Sequence, residues 1–180
     1  GVAQTIHDYR MGSILNLRGG NARNSWYAAE VAAAKQLGIE YYDLPMSASR
    51  RPSRSELLTL INLFERCRYP LWIHCKSGSD RTGLATAVYR LVVRDEPPGQ
   101  AHDAFSYWRG HIPLFGPERL HEPIHEYAAW LQSHHLSHTP ERFRGWVQHD
   151  YRSDGPDQAR PLESGPRAEV ARHASGTRSR

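Results

Sequence analysis

A chain of 180 residues supports one domain with a sizeable core and not two of ordinary size. With 39% hydrophobic residues it reads as globular, and a formal charge of +4 with a pI near 9.3 favours an anionic ligand without requiring nucleic acid. No stretch approaches the roughly 18 apolar residues of a membrane span and no secretory signal opens the chain, so no integral membrane segment is expected. Residue 1 is Gly rather than Met, which leaves a preceding start or leader open; a cytoplasmic compartment is expected, or a periplasmic one if a leader is missing from the chain. The two cysteines, Cys67 and Cys75, are too few for a disulfide framework and are read as reduced thiols.

Residues 11–17, Met-Gly-Ser-Ile-Leu-Asn-Leu, read as a short buried strand leading into the glycine-bearing loop 18–21. Ser25 then caps an alanine-rich helix that ends at Gly38. Residues 39–46 form the next strand and 47–52 a loop. Ser53 and Glu56 have the spacing of a capping box, with Leu57, Leu60, Ile61 and Phe64 on one face of the helix behind it. Leu-Trp-Ile-His, 71–74, is a third strand whose apolar character suits the centre of a parallel sheet. A helix follows to about Arg94, stopped by Pro-Pro-Gly at 97–99, and two more are predicted near 100–109 and 117–133. Strand–helix alternation argues an α/β fold: a central, mainly parallel sheet flanked by helices on both faces. One domain is expected over 1–150. From 151 to 180 only Leu162 and Val170 are large aliphatics, and this tail is expected to be disordered.

Between the third strand and its following helix lies His-Cys-Lys-Ser-Gly-Ser-Asp-Arg-Thr-Gly, residues 74–83, nearly devoid of apolar side chains. Ligands of open parallel sheets bind beyond the carboxyl ends of the strands. A helix starting near Arg81 directs its free N–H groups and positive dipole end into this loop, and the small residues Ser77, Gly78 and Ser79 let successive amides from Lys76 to Arg81 form an anion nest. Arg81 closes the ring with a bidentate guanidinium. In such surroundings the pKa of Cys75 falls from about 8.5 into the range of roughly 3.5–7.5, which makes the thiolate available at neutral pH. The loop therefore reads as a phosphate cradle with a nucleophile at its base.

These ten residues match His-Cys-x5-Arg-Thr, and the chain resembles the cysteine-based phosphatases, in particular compact bacterial members of the dual-specificity type, over about residues 10–150. The resemblance implies that Cys75 attacks phosphorus to give a phosphocysteine, that Arg81 clamps the phosphate, and that Thr82 eases departure of the thiolate. It further implies that Lys76, Ser77, Gly78, Ser79, Thr82 and Gly83 bind phosphate and that His74 braces the loop. No metal and no cofactor are implied. The partner is a phosphorylated protein, or a phospholipid or small-molecule phosphate, and oligomeric state is left open.

The match departs at the general acid. Relatives carry an aspartate shortly after a strand ending in an Ile-Pro-like pair; here Leu44-Pro45 is followed by Met46-Ser47-Ala48-Ser49, with no carboxylate. Two substitutes remain. Asp43 lies at the strand end, with a neighbouring arginine as its alternative partner, and Asp80 stands immediately before Arg81. A loop with both Lys76 and Asp80 resembles those of phosphoinositide phosphatases, and Lys76 with Arg50, Arg51 and Arg54 would suit a substrate carrying extra negative charge, although each of these arginines is also explained by a solvated basic face.

A second motif competes. His121-Glu-Pro-Ile-His125 fits H-E-x-x-H, the zinc-peptidase signature. Pro123 is expected to open the helix, leaving His121 outside it and breaking the i, i+4 geometry, and neither His111 nor His134-His135 offers a third ligand at a recognisable spacing. These histidines are read as surface residues, with His111 at the pocket rim. Sulfurtransferases and catalytically silent phosphate-binding modules use similar loops, and release of phosphate from an aryl phosphate separates them from a phosphatase. Arsenate reductases use one generally near the N-terminus with further cysteines, for which Cys67 is a poor candidate.

Overall fold

The computed structural model describes residues 2–105 and 117–153. The elements in order are α1 (Val2–Asp8), β1 (Ser13–Asn16), α2 (Ser25–Gln36), β2 (Glu40–Asp43), α3 (Arg54–Arg66), β3 (Leu71–His74), α4 (Asp80–Val92) and α5 (Pro98–His102). A 3-10 turn (Pro117–Leu120), α6 (Glu122–Ser133) and α7 (Pro140–His149) complete them. The three strands are all parallel, in the order β2-β1-β3, with Asn16 in register with Asp43 on one side and His74 on the other.

Alternation along β1 divides the core between the two faces of the sheet. Ile14 packs with Ile6 of α1, Ala34 of α2 and Ile39, whereas Leu15 joins the larger cluster built by α3, α4, α6 and α7. The predicted capping box forms: the Ser53 hydroxyl accepts from the Glu56 amide at 3.1 Å while the Glu56 carboxylate accepts from the Ser53 amide at 2.6 Å. Leu57, Leu60, Ile61 and Phe64 behind it are all buried. Such a cap contributes about 1 kcal/mol.

Three details differ from the sequence reading. Among the described strands, β3 is an edge and β1 the centre, because the connection through α3 crosses to the far side of β1; β3 is accordingly only half-buried and β1 fully buried. Asn24, not Ser25, caps α2, and it does so without a side-chain hydrogen bond. The helix predicted near 100–109 is the short α5, and residues 106–116, with His111, lie outside the described residues, as do 154–180 of the expected tail. Two helices, α1 and α7, have no counterpart among the elements expected from the sequence. In α7, Thr139 accepts from the Arg142 amide, Pro140 takes the first turn, and Phe143, Trp146 and Val147 are buried. Tyr151 just beyond it is buried against Trp146. No helix among the described residues is long and apolar enough to cross a membrane.

Candidate functional site

The crossover gives the sheet its switch point. Chain connections leave β1 and arrive at β3 on opposite sides, so a crevice opens beyond the carboxyl ends of these two strands. Cys75 is the first residue past β3, and Leu17 the first past β1; the Leu17 amide donates to the His74 carbonyl at 2.8 Å and ties the two exits together. Residues 75–79 then turn directly into α4, whose first residue is Asp80 and whose N-cap is Ser79.

Cys75 is 9% exposed, at the base of this turn. Gly78 has a φ of +74, a left-handed conformation that side chains disfavour, and this brings its amide to 3.3 Å from the Cys75 sulfur. Burial alone would raise the thiol pKa. The Thr82 hydroxyl and the amides of Thr82, Gly78 and Ser77 overcome that and bring it down to about 7. A large fraction of Cys75 is therefore thiolate at neutral pH.

Arg81 and Thr82 sit on the first turn of α4 beside it. One terminal nitrogen of Arg81 donates to the carbonyls of Leu17 and Met46, both at 3.3 Å, which fixes the guanidinium across the crevice. Its Nε is buried and has no hydrogen-bond partner among the described residues. A buried donor of this kind is costly unless something answers it, and an oxyanion bound over the sulfur would do so. Gly83 contributes differently: its amide is spent inside the helix on the Ser79 carbonyl at 2.7 Å, and a Cβ there would lie 3.0 Å from the Phe105 ring. Its place in the motif is a packing requirement of α4.

Around the cradle, His74 sets its imidazole Nε2 3.1 Å from a carboxylate oxygen of Glu30, itself buried in α2 and accepting from the Tyr41 hydroxyl at 2.8 Å. Glu30 was missed in the sequence; an acid in the middle of an alanine-rich helix was the available signal. Lys76, Ser77 and Gly78 are exposed at the rim, whereas Ser79 is buried. Its hydroxyl donates to Asp80 at 2.9 Å, and Asp80 is half-exposed.

Asp43 is buried, and its two oxygens accept from Asn16 Nδ2 at 2.9 Å and from the Tyr27 hydroxyl at 2.5 Å. Asn16 and Tyr27 thus stand where an arginine was expected. Arg51 and Arg54 do not face outward. Arg51 forks onto Glu126, reaches Glu122 at 3.4 Å and lies over the Tyr151 ring at 4.7 Å, while Arg54 donates to the Tyr151 carbonyl at 2.8 Å. Arg51 thus ties Tyr151, just beyond α7, to α6, and Arg54 ties it to α3. Arg50 alone of the three is exposed. Another cation, Arg18, is exposed in the loop after β1, with its guanidinium 4.1 Å from the centroid of Trp26. An arginine directly after a strand and before Gly19-Gly20 was its signal in the sequence.

Comparison with known families finds a match over residues 5–109 to the family described as DSP-PTPase phosphatase fused to NAD+ kinase. The chain belongs to this family. It is a cysteine-dependent phosphatase of the dual-specificity type. No curated protein matches the sequence significantly. Among solved structures, the core catalytic domain of the PP-IP phosphatase SIW14 from S. cerevisiae is similar with a TM-score of 0.54 and 18% identity, covering 74% of this chain and 81% of that one. TpbA of P. aeruginosa, solved with phosphotyrosine, is similar with a TM-score of 0.50 and 17% identity, covering 71% and 78%. At these identities both bear on the fold, and both agree with the α/β architecture of this phosphatase.

Proposed function

We propose that this phosphatase hydrolyses phosphate monoesters through Cys75, and that its substrates include phosphotyrosine together with more highly charged phosphates of the phosphoinositide kind. The observation that carries the mechanism is the Cys75 thiol, held at a pKa of about 7 by the amides and hydroxyl of the same loop that cradles the anion. The thiolate attacks phosphorus as the bond to the ester oxygen breaks. Arg81 Nε and the loop amides take up the charge on the phosphoryl oxygens. Asp80 gives its proton to the departing oxygen, then accepts one from the water that attacks the phosphocysteine, and cleavage of the S–P bond returns the thiolate. Thr82 donates to the sulfur as it leaves.

Asp80 is assigned the acid role over Asp43 because Asp43 is buried with both oxygens already accepting hydrogen bonds, from Asn16 and Tyr27. Asp80 is half-exposed at the cradle. For the substrate, the supporting features are the exposed cation Lys76 in the cradle and the exposed Arg18, next to Leu17 just past β1, and SIW14 and TpbA, described with PP-IP and phosphotyrosine respectively, have the same fold.

Cys75→Ser is expected to abolish turnover of an aryl phosphate while vanadate still binds, and wild-type turnover is expected to survive a chelator. Turnover by Cys75→Ser would overturn the mechanism. On a panel of phosphotyrosine peptides and phosphoinositides, Lys76→Ala is expected to depress the second activity more than the first; an unchanged ratio removes the basis for the substrate reading.

A further inference from the structure

The H-E-x-x-H segment is not broken as the sequence suggested. His121 is the N-cap of α6 but has helical backbone angles, φ −82 and ψ −28, and the His125 amide donates to the His121 carbonyl at 3.2 Å. Pro123 occupies the first turn, where no intrahelical N–H is needed, so it leaves the i, i+4 relation intact. The two imidazoles consequently stand one turn apart on the same side, 12° from parallel with centroids 6.2 Å apart. Folding brings the third ligand from a different element: His102, the last residue of α5, places Nε2 at 3.1 Å from His121 Nδ1 and its ring 4.6 Å from that of His125. One ring nitrogen from each of the three lies within 4.8 Å of the others.

We propose that His102, His121 and His125 form a binding site for a borderline divalent metal ion, zinc foremost, that clamps α5 to α6. Three neutral imidazoles with a fourth position left to water are a recurrent zinc donor set, whereas calcium and magnesium demand oxygen ligands. Tetrahedral bonds of 2.0–2.1 Å put neighbouring ligand nitrogens about 3.3 Å apart. The His102–His121 pair is already close to that spacing, and His125, on the exposed side, needs only a side-chain adjustment to close the set.

The site is not that of a peptidase. The glutamate that would serve as base, Glu122, is instead engaged with Arg51 at 3.4 Å, as Glu126 is. Its connection is to the phosphatase centre: Phe105 stacks on His121 with centroids 4.0 Å apart and, through its other contacts, abuts Gly83 on the first turn of α4. A bound ion would therefore fix the packing behind the helix that carries Arg81 and Thr82, without touching the reacting atoms.

The test is titration of Zn²⁺ into the chelator-stripped 180-residue chain carrying Cys75→Ser, which removes the thiolate as a rival ligand. The expected result is one Zn²⁺ per chain and a melting temperature that rises with Zn²⁺ and falls back on chelation. His125→Ala and His102→Gln should each weaken binding at least tenfold and remove the thermal response, while His149→Ala at the far end of α7 should leave both unchanged. Because His125 is exposed, its variant reads ligation with little effect on packing. Absence of binding to the parent, or binding to His125→Ala and His102→Gln as tight as to the parent, overturns the proposal.

Discussion

Cys67 and Cys75 are almost equally buried, 8% and 9% exposed, yet their thiols are driven in opposite directions. At the carboxyl end of α3, burial raises the pKa of Cys67; the hydroxyls of Tyr69 and Ser13 offset this only in part, and the Glu40 carboxylate adds to the rise. At the amino end of α4, the same burial is outweighed by the Thr82 hydroxyl and the amides of Thr82, Gly78 and Ser77, and the thiol comes down to about 7. What separates the two thiols is how many hydroxyl and N–H donors converge on the sulfur, not its exposure.

The strongest way to break this comparison is to exchange the losses. Cys75→Ser should reduce turnover to background and Cys67→Ala should leave kcat unchanged, although it costs some stability through the small cavity it opens. A collapse of kcat in a folded Cys67→Ala protein would show that the second thiol takes part. Next in size is the acid. Asp80→Asn should lower kcat on an alkyl phosphate by about 10²–10⁴-fold, with a much smaller loss on an aryl phosphate whose leaving group needs no proton. The basic limb of the pH profile should disappear with it. The same selective loss in Asp43→Asn, and not in Asp80→Asn, would transfer the role to the strand end. Arg81→Lys should cost about 10²–10³-fold in kcat, because an ammonium cannot both hold the Leu17 and Met46 carbonyls and fork onto phosphate. A loss confined to KM would mean that Arg81 binds substrate and transition state equally.

The activation of Cys75 was legible in the sequence because its causes are local. Residues 75–83 contain their own turn, amides and helix start, just as Ser53 and Glu56 contain their own cap. What was not legible depends on residues distant in the chain. Arg51 finds Tyr151 a hundred positions away, and a basic residue in a loop gives no sign of such a partner. His102 meets His121 only because α5 and α6 pack together. The placement of β3 at the edge follows from the direction of a crossover, which an apolar four-residue strand does not encode. By contrast α7 was local and still overlooked: its Thr-Pro cap and the spacing of Phe143, Trp146 and Val147 are ordinary helix signals.

The smallest expected effect is the most direct measure of the donors around Cys75. Its alkylation by iodoacetamide should accelerate through a midpoint near pH 7, while Cys67 should react only at markedly higher pH. Removing one hydroxyl donor in Thr82→Val should raise the Cys75 midpoint by about one to two units, since a hydrogen bond to a charged group contributes about 1.5–3 kcal/mol and one unit corresponds to about 1.4 kcal/mol. The sign carries over to stability. A thiol whose folded pKa is lowered to about 7 from an ordinary value of 9.0 contributes stability that is fully present above the unfolded value and lost as pH falls through the folded one. The melting temperature of the wild type relative to Cys75→Ser should therefore rise between about pH 7 and pH 9, and the rise should be smaller in Thr82→Val. A flat difference across that window would mean that the amides do not hold the thiolate, and the distinction between the two cysteines would have to rest on access alone.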